Sequence, residues 1–144
     1  MLDISELFWQ SSLEDLKKGY VYHEPTEAFV CLICGKTSAN GVIYPHDGQL
    51  YEARKYMDIH IRESHQSVFK ALLNLDKKIT GLTEHQKTIL ELFYDNYSDK
   101  EVAKALGAGS TSTVRNHRFT LRERQKQAKV FLAIMELLGE KTPR

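Results

Sequence analysis

The sequence predicts a mainly α chain, with a ββα module in its N-terminal half and a helix-turn-helix bundle at its C-terminal end. Three observations carry this. Thr83 with Gln86 and Ser98 with Glu101 are S/T-x-x-E/Q capping boxes, which open two successive helices. The apolar residues around them recur at helical spacing: Ile89, Leu90, Phe93; Val102, Ala105, Leu106; Val114, Leu121. Further upstream, Cys31 and Cys34 are followed, after 25 intervening residues, by His60 and His65. That is the order of a knuckle on a hairpin and then a helix.

Element by element, residues 5–18 read as an amphipathic helix with Ile4, Leu7, Phe8, Leu13 and Leu16 near one side, Trp9 in the core, and Gly19 ending it. Residues 21–31 alternate weakly and read as a strand interrupted at Pro25. Residues 41–44 are a second short strand, followed by the turn signal Pro45-His46-Asp47-Gly48. Residues 49–64 become helical, with Tyr51, Tyr56, Met57 and Ile59 turned inward. Residues 67–79 form a further helix through Val68, Phe69, Leu72, Leu73 and Leu75, and Thr80-Gly81 separates it from the helix-turn-helix. Ser110 is a third N-cap, four residues ahead of Val114. After Arg124 helicity continues through Val130, Phe131, Ile134, Leu137 and Leu138 to Gly139. These last apolar residues either fold back on the bundle or form a homodimer seam. The tail from Lys141 to Arg144 is polar and frayed, and is where a longer protein would have been cut. The expected division is 1–26, an N-terminal helix and strand; 27–66, a zinc-finger-like module; 67–80, a connecting helix; and 81–144, the helix-turn-helix with its C-terminal helix.

Composition narrows the class. At 144 residues the chain holds one ordinary domain or two small ones, and 42% hydrophobic with 27% charged residues is the balance of a folded protein. No run approaches the ~20 apolar residues of a membrane span, and Met1 to Glu6 has no secretory pattern. The expected location is the cytoplasm, with access to the nucleoid in a bacterium. The net charge of +1 is unevenly divided. Residues 1–80 carry 9 Lys and Arg against 11 Asp and Glu, whereas residues 98–144 carry 10 against 5. Between 110 and 130, Arg115, Arg118, Arg122, Arg124, Lys126 and Lys129 face a single acid, Glu123. Positive charge concentrated on one helix is the footprint of a phosphate-backbone partner.

Two thiolates and two imidazoles make the Cys₂His₂ set that closes a tetrahedron around Zn²⁺. The candidate ligands are Cys31, Cys34, His60 and His65, with His23 and His46 as spares. Gly35 lets the backbone turn so that amides point at sulfur. His60 and His65 lie about 140° apart around an ideal helix, so the last turn is expected to tighten or unwind between them. The 25-residue spacer exceeds the ~12 of a short finger, so the DNA-reading positions of such a finger do not carry over. Four protein ligands leave no open position for water, which makes the expected zinc structural. A reduced, buried cysteine pair is the plainer alternative; a thioredoxin-like pair lacks its βαβ context.

Residues 82–124 resemble the LuxR/GerE type of bacterial transcription-regulator domain. The likeness rests on Leu82-Thr83-Glu84, Ile89-Leu90, Ser98-Asp99-Lys100-Glu101-Val102-Ala103, Leu106, and Thr113-Val114-Arg115-Asn116-His117-Arg118 with Leu121, about a third of the chain. It implies four helices, the third reading DNA, and sequence-dependent binding of double-stranded DNA by a regulator, often as a dimer. One departure is the connection Leu106-Gly107-Ala108-Gly109-Ser110, a residue longer than usual and without an apolar plug. The DNA-binding region of sigma factors is a more distant likeness.

On a helix from Ser110, Val114 and Leu121 face the core, while Thr111, Arg115, Arg118 and Arg122 share another face, assigned to the groove. Arg115 is the first candidate for a bidentate base contact. Asn116 would read adenine or hold a phosphate, and Ser112 and Thr113 suit phosphate oxygens near a helix N-terminus. Arg118, Arg122, Arg124 and Lys126 supply backbone charge. His85 and His117 are surface or groove residues. The expected function is therefore a zinc-stabilised DNA-binding regulator without catalysis of its own. No acid pair, Ser-His set or phosphate-cradling loop argues for an enzyme. The alternatives are a zinc-containing adaptor or a sigma-factor-like promoter-binding protein.

Overall fold

The computed structural model describes residues 2–141; Met1 and the tail residues Thr142, Pro143 and Arg144 lie outside the described residues. The chain divides into two compact units, Met1–Lys87 and Thr88–Arg144.

The first unit begins with two short helices, α1 (Ile4–Gln10) and α2 (Leu13–Lys18). The single helix expected over residues 5–18 is broken because Ser11 is extended and Ser12 caps a new start, accepting from the Asp15 amide at 3.1 Å. The break leaves Leu13 and Trp9 exposed, so the tryptophan expected in the core is not there. Gly19 does end α2, at φ +88°, where an added Cβ would meet Ile61 and Val68 at 2.9 Å.

The interrupted strand is two strands. β1 (Tyr20–His23) and β2 (Ala28–Cys31) pair antiparallel across a 3₁₀ turn at Glu24–Thr26 that holds Pro25. β3 (Thr37–Ala39) pairs on the other side of β2, giving the order β1-β2-β3. As the central strand, β2 is buried at all four residues. A second hairpin follows, β4 (Ile43–His46) and β5 (Gln49–Glu52), around Asp47 and Gly48, both at positive φ as a tight two-residue turn requires. Residues 49–52 are thus strand, not the first turn of a helix, and Tyr51 stands half-buried on β5. The helix proper, α3 (Ala53–His65), starts where Glu52 accepts from the Lys55 amide at 2.8 Å. Ala53, Met57 and Ile61 pack with Tyr20, Phe29 and Cys31 in one core cluster. The buried Ser38 hydroxyl donates to the Ala53 carbonyl at 2.9 Å and ties β3 to the start of α3.

The helix expected over 67–79 is also two, α4 (Val68–Leu73) and α5 (Lys77–Thr80), each with its own cap, Ser67 and Asp76. Short side-chain caps explain both breaks: each Ser or Asp offers the backbone a new helix start.

α6 (Glu84–Tyr94) opens on the Thr83–Gln86 box, with both reciprocal bonds made at 3.0 and 3.1 Å. In the second unit, α7 (Asp99–Ala105) opens on the Ser98–Glu101 box, again reciprocal. Residues 106–110 connect it to α8 (Thr111–Lys141), 31 residues without a break. Val102, Ala103 and Val114 form the core, covered by Leu92, Phe93, Leu106 and Ala108. Ala103 takes the inward place expected of Ala105, which is exposed. Ala108 fills the place of the missing plug, its amide donating to the Ala103 carbonyl at 2.8 Å. The end of α8 does not fold back: Val130, Phe131, Ile134, Leu137 and Leu138 are all exposed, and the helix passes Gly139 to reach Lys141. The separate fourth helix that the family likeness implies is here the continuation of the third.

Candidate functional site

The four expected ligands converge. Cys31 ends β2 and is fully buried. Its chain then turns through Leu32, Ile33 and Cys34 to Gly35, whose amide donates back to the Cys31 carbonyl at 2.9 Å. The Cys31 amide donates to the Lys36 carbonyl at 2.8 Å, closing the knuckle. Gly35 sits at φ +83°, and an added Cβ would lie 3.0 Å from Ile4 of α1, so glycine is required twice over.

His60 and His65 come from the last turns of α3. The Cys34 Sγ lies 3.2 Å from His60 Nε2, and the Cys31 Sγ lies 3.6 Å from His65 Nε2. The two rings stand edge to face, 5.0 Å apart. All four ligand atoms lie within 4.8 Å of one another, close enough to hold one metal ion, and neither cysteine is in a disulfide. Contrary to the expectation from their spacing, the helix does not unwind between the histidines. It stays α to His65 and breaks one residue later, where Gln66 adopts φ +66°, ψ −60°. The Ser67 amide donates to the His65 carbonyl at 2.7 Å across it, a γ-turn of the rare positive-φ kind. Such strain persists only where surrounding structure over-determines it; here His65 precedes it and the Ser67 cap of α4 comes after.

The surroundings favour a neutral imidazole at His60 and a protonated thiol at Cys31. Burial, then the neighbouring His65 and Lys36, hold His60 below the usual histidine value. Burial pushes the Cys31 thiol up, against the pull of the Cys34 and Ile33 amides directed at its sulfur. A cation among the ligands reverses that balance by stabilising the thiolate. The spare histidines lie elsewhere. His23 bonds Thr26 at 2.8 Å, and His46 bonds Glu63 at 2.9 Å, forming with Asp47 a separate, more exposed group. Tyr44 stacks on Tyr56 at 4.4 Å and its hydroxyl accepts from the Ala39 amide at 2.7 Å, which fixes the second hairpin against α3. The long spacer between Cys34 and His60 is therefore occupied by β3, β4 and β5.

The α8 residues separate into two groups. Ser112, Thr113, Arg115, Asn116 and Arg122 are exposed near its start, with Thr111 half-buried and its hydroxyl accepting from Arg115 at 2.9 Å. Arg118 is engaged within the unit. It donates twice to Asp99 Oδ1, at 2.8 and 3.1 Å, and its guanidinium lies 3.7 Å over the Phe93 ring. It stands only about 40° around the helix from the buried Val114, which explains the packing. One exposed residue escaped the sequence reading, Phe119, 65% exposed amid this cationic surface. Its signal was a large aromatic off the core spacing set by Val114 and Leu121. Among the described residues no helix is long and apolar enough to cross a membrane. Comparison of the chain with protein-family models, curated proteins and solved structures gives no match.

Proposed function

We propose that this chain is a sequence-specific DNA-binding transcriptional regulator whose N-terminal module is held by a structural zinc ion. The observation that carries the reading is the start of α8. There Arg115, Asn116 and Arg122 are exposed on a helix that Val114 fixes against α7, with short hydroxyl residues at its first turn. A helix so anchored after a short connection is the arrangement that enters a major groove, N-terminal residues first. Arginine forks read guanine there, and Ser112 and Thr113 take phosphate oxygens. Arg118 serves the fold more than the groove.

Zinc is favoured by the donor set and its spacing. Sulfur at ~2.3 Å and nitrogen at ~2.0 Å from a tetrahedral ion stand about 3.5 Å apart, and the two Cys–His distances, 3.2 and 3.6 Å, bracket that value. With four protein ligands the ion has no place for a reacting water, so its part is to hold the knuckle against α3.

The test is fluorescence anisotropy against pooled duplex fragments over a salt series. Tight binding to a small subset, with a log–log salt slope of several phosphates, is expected; weak binding equal for all duplexes removes the regulator reading. Metal analysis of the purified chain is expected to give one zinc, lost in Cys34→Ser along with the cooperative melt of the first unit. The adaptor reading has one observation in its favour, the exposed Val42, Ile43 and Leu50 around the second hairpin, and protein capture without DNA binding would select it.

A further inference from the structure

Between positions 130 and 138, α8 carries seven large apolar side chains that are 47–66% exposed. They span about 220° of the circumference at 3.6 residues per turn, twice the ~100° stripe by which a surface helix meets its own core. Together they present an area of the order of the ~800 Å² that each partner gives to a stable interface. A stretch so apolar stands exposed only until something covers it.

The charges around this stretch say what. Val130, Ile134, Leu137 and Lys141 recur at spacings of four, three and four, the a/d rhythm of a coiled-coil seam. In that frame Lys126, Ala133 and Glu140 fall on one flank, seven residues apart, basic before the midpoint and acidic after it. The other flank carries Phe131 and Leu138. When a seam pairs with its own copy in the antiparallel sense, like flanks meet, and residues equidistant from Ala133 face each other. Lys126 of one copy then meets Glu140 of the other, twice by symmetry, and Val130 of one copy packs beside Ile134 of the other. A parallel pair instead sets the charged flank against Phe131 and Leu138 and aligns the basic stretch from Arg122 to Lys129 with itself.

We infer that α8 self-associates antiparallel with a second copy of this chain, about a twofold axis near Ala133 and Ile134. The isologous form is the commonest for soluble homo-oligomers. Lys126 reaches Glu123 of its own helix at 3.1 Å, an exposed pair of the kind easily exchanged. Phe131, Met135 and Leu138 remain along one side of the pair, the surface on which two such pairs stack at higher concentration.

The experiment is sedimentation equilibrium of the full chain without DNA, so that its outcome stands apart from the DNA-binding reading. The wild type is expected to associate. Lys126→Glu and Glu140→Lys are each expected to weaken association about fivefold or more, since each turns two attractions into repulsions. Mixed in equal amounts, the two variants are expected to recover it, because each then supplies the charge the other lacks. Ile134→Glu, at an exposed position whose change leaves the circular dichroism intact, is expected to abolish it. A wild type that stays monomeric at about 100 µM, far above a micromolar dissociation constant, overturns the inference. So do single variants that associate as tightly as wild type, or a mixture that recovers nothing.

Discussion

Arg115 and Arg118 are one turn apart on α8, yet their surroundings differ. Arg115 is exposed and donates to Thr111, whereas Arg118 forks onto Asp99 and lies flat on Phe93. Arg115→Ala is expected to weaken specific DNA binding by about 1–3 kcal/mol while leaving the melt unchanged. Arg118→Ala is expected to do the reverse, costing about 1 kcal/mol of stability from the lost pair and ring contact, read by thermal denaturation. If Arg118 lowers affinity as much as Arg115 with no change in melting, the division of roles is wrong. At the metal centre, Gly35→Ala is expected to destabilise the first unit by more than the ~1 kcal/mol of a simple left-handed penalty, because the methyl also meets Ile4. Differential scanning calorimetry of the metal-loaded chain measures it. The convergence of Cys31, Cys34, His60 and His65, close enough to hold a metal ion, was legible because their chemistry is carried by residue type and spacing alone. Arg118 was not, since its role depends on Asp99 and Phe93, which reach it from other helices.

Among the described residues, α1, α2, α4, α5, α6 and α7 each start on a short polar side chain, and the starts were read better than the continuity between them. Thr83–Gln86 and Ser98–Glu101 are made as the sequence implies. Ser12, Ser67 and Asp76 are caps of the same kind, but Ser12 and Asp76 lie inside apolar periodicities long enough to suggest one helix each. A cap that interrupts a periodic pattern competes with the pattern, and only the packing of Ser12 and Asp76 into separate short helices decides it. Strand β3 carries no alternation of its own, and it exists because β2 offers it an edge. The box at α7 also carries a pH dependence. Glu101 accepts from the Ser98 amide, and this bond holds its carboxyl below the usual glutamate value. A depressed folded value adds stability above the unfolded pKa and loses it as pH falls through the folded one. Wild type is therefore expected to lose more melting temperature than Glu101→Gln between about pH 5 and pH 3, since the amide keeps the bond without titrating. Parallel acid limbs for the two proteins would remove the effect.

For the molecule as a whole, the two units have separate cores, one closed by the knuckle and α3 and the other by Val102, Ala103 and Val114. The division of charge falls about ten residues past the boundary between them, acidic before residue 98 and basic after it, and that much was visible in the sequence. Chelation is expected to abolish near-ultraviolet dichroism from the tyrosines of the first unit, where five of the seven reside, while the helical signal of α8 survives. A single cooperative loss of both would mean that the units do not fold independently.

The unbroken length of α8 turns the helix into a ruler. At 1.5 Å per residue, two copies crossing near Ala133 place their Arg115 side chains about 54 Å apart along the rod. Laid beside B-form DNA at 3.4 Å per base pair, that distance is about 16 base pairs, midway between one helical turn and two. A straight duplex therefore shows the two reading ends opposite faces. On the proposed DNA-binding reading, an operator for such a pair has to bend or untwist between its half-sites, or else the rod joins two separate stretches of DNA, one at each end.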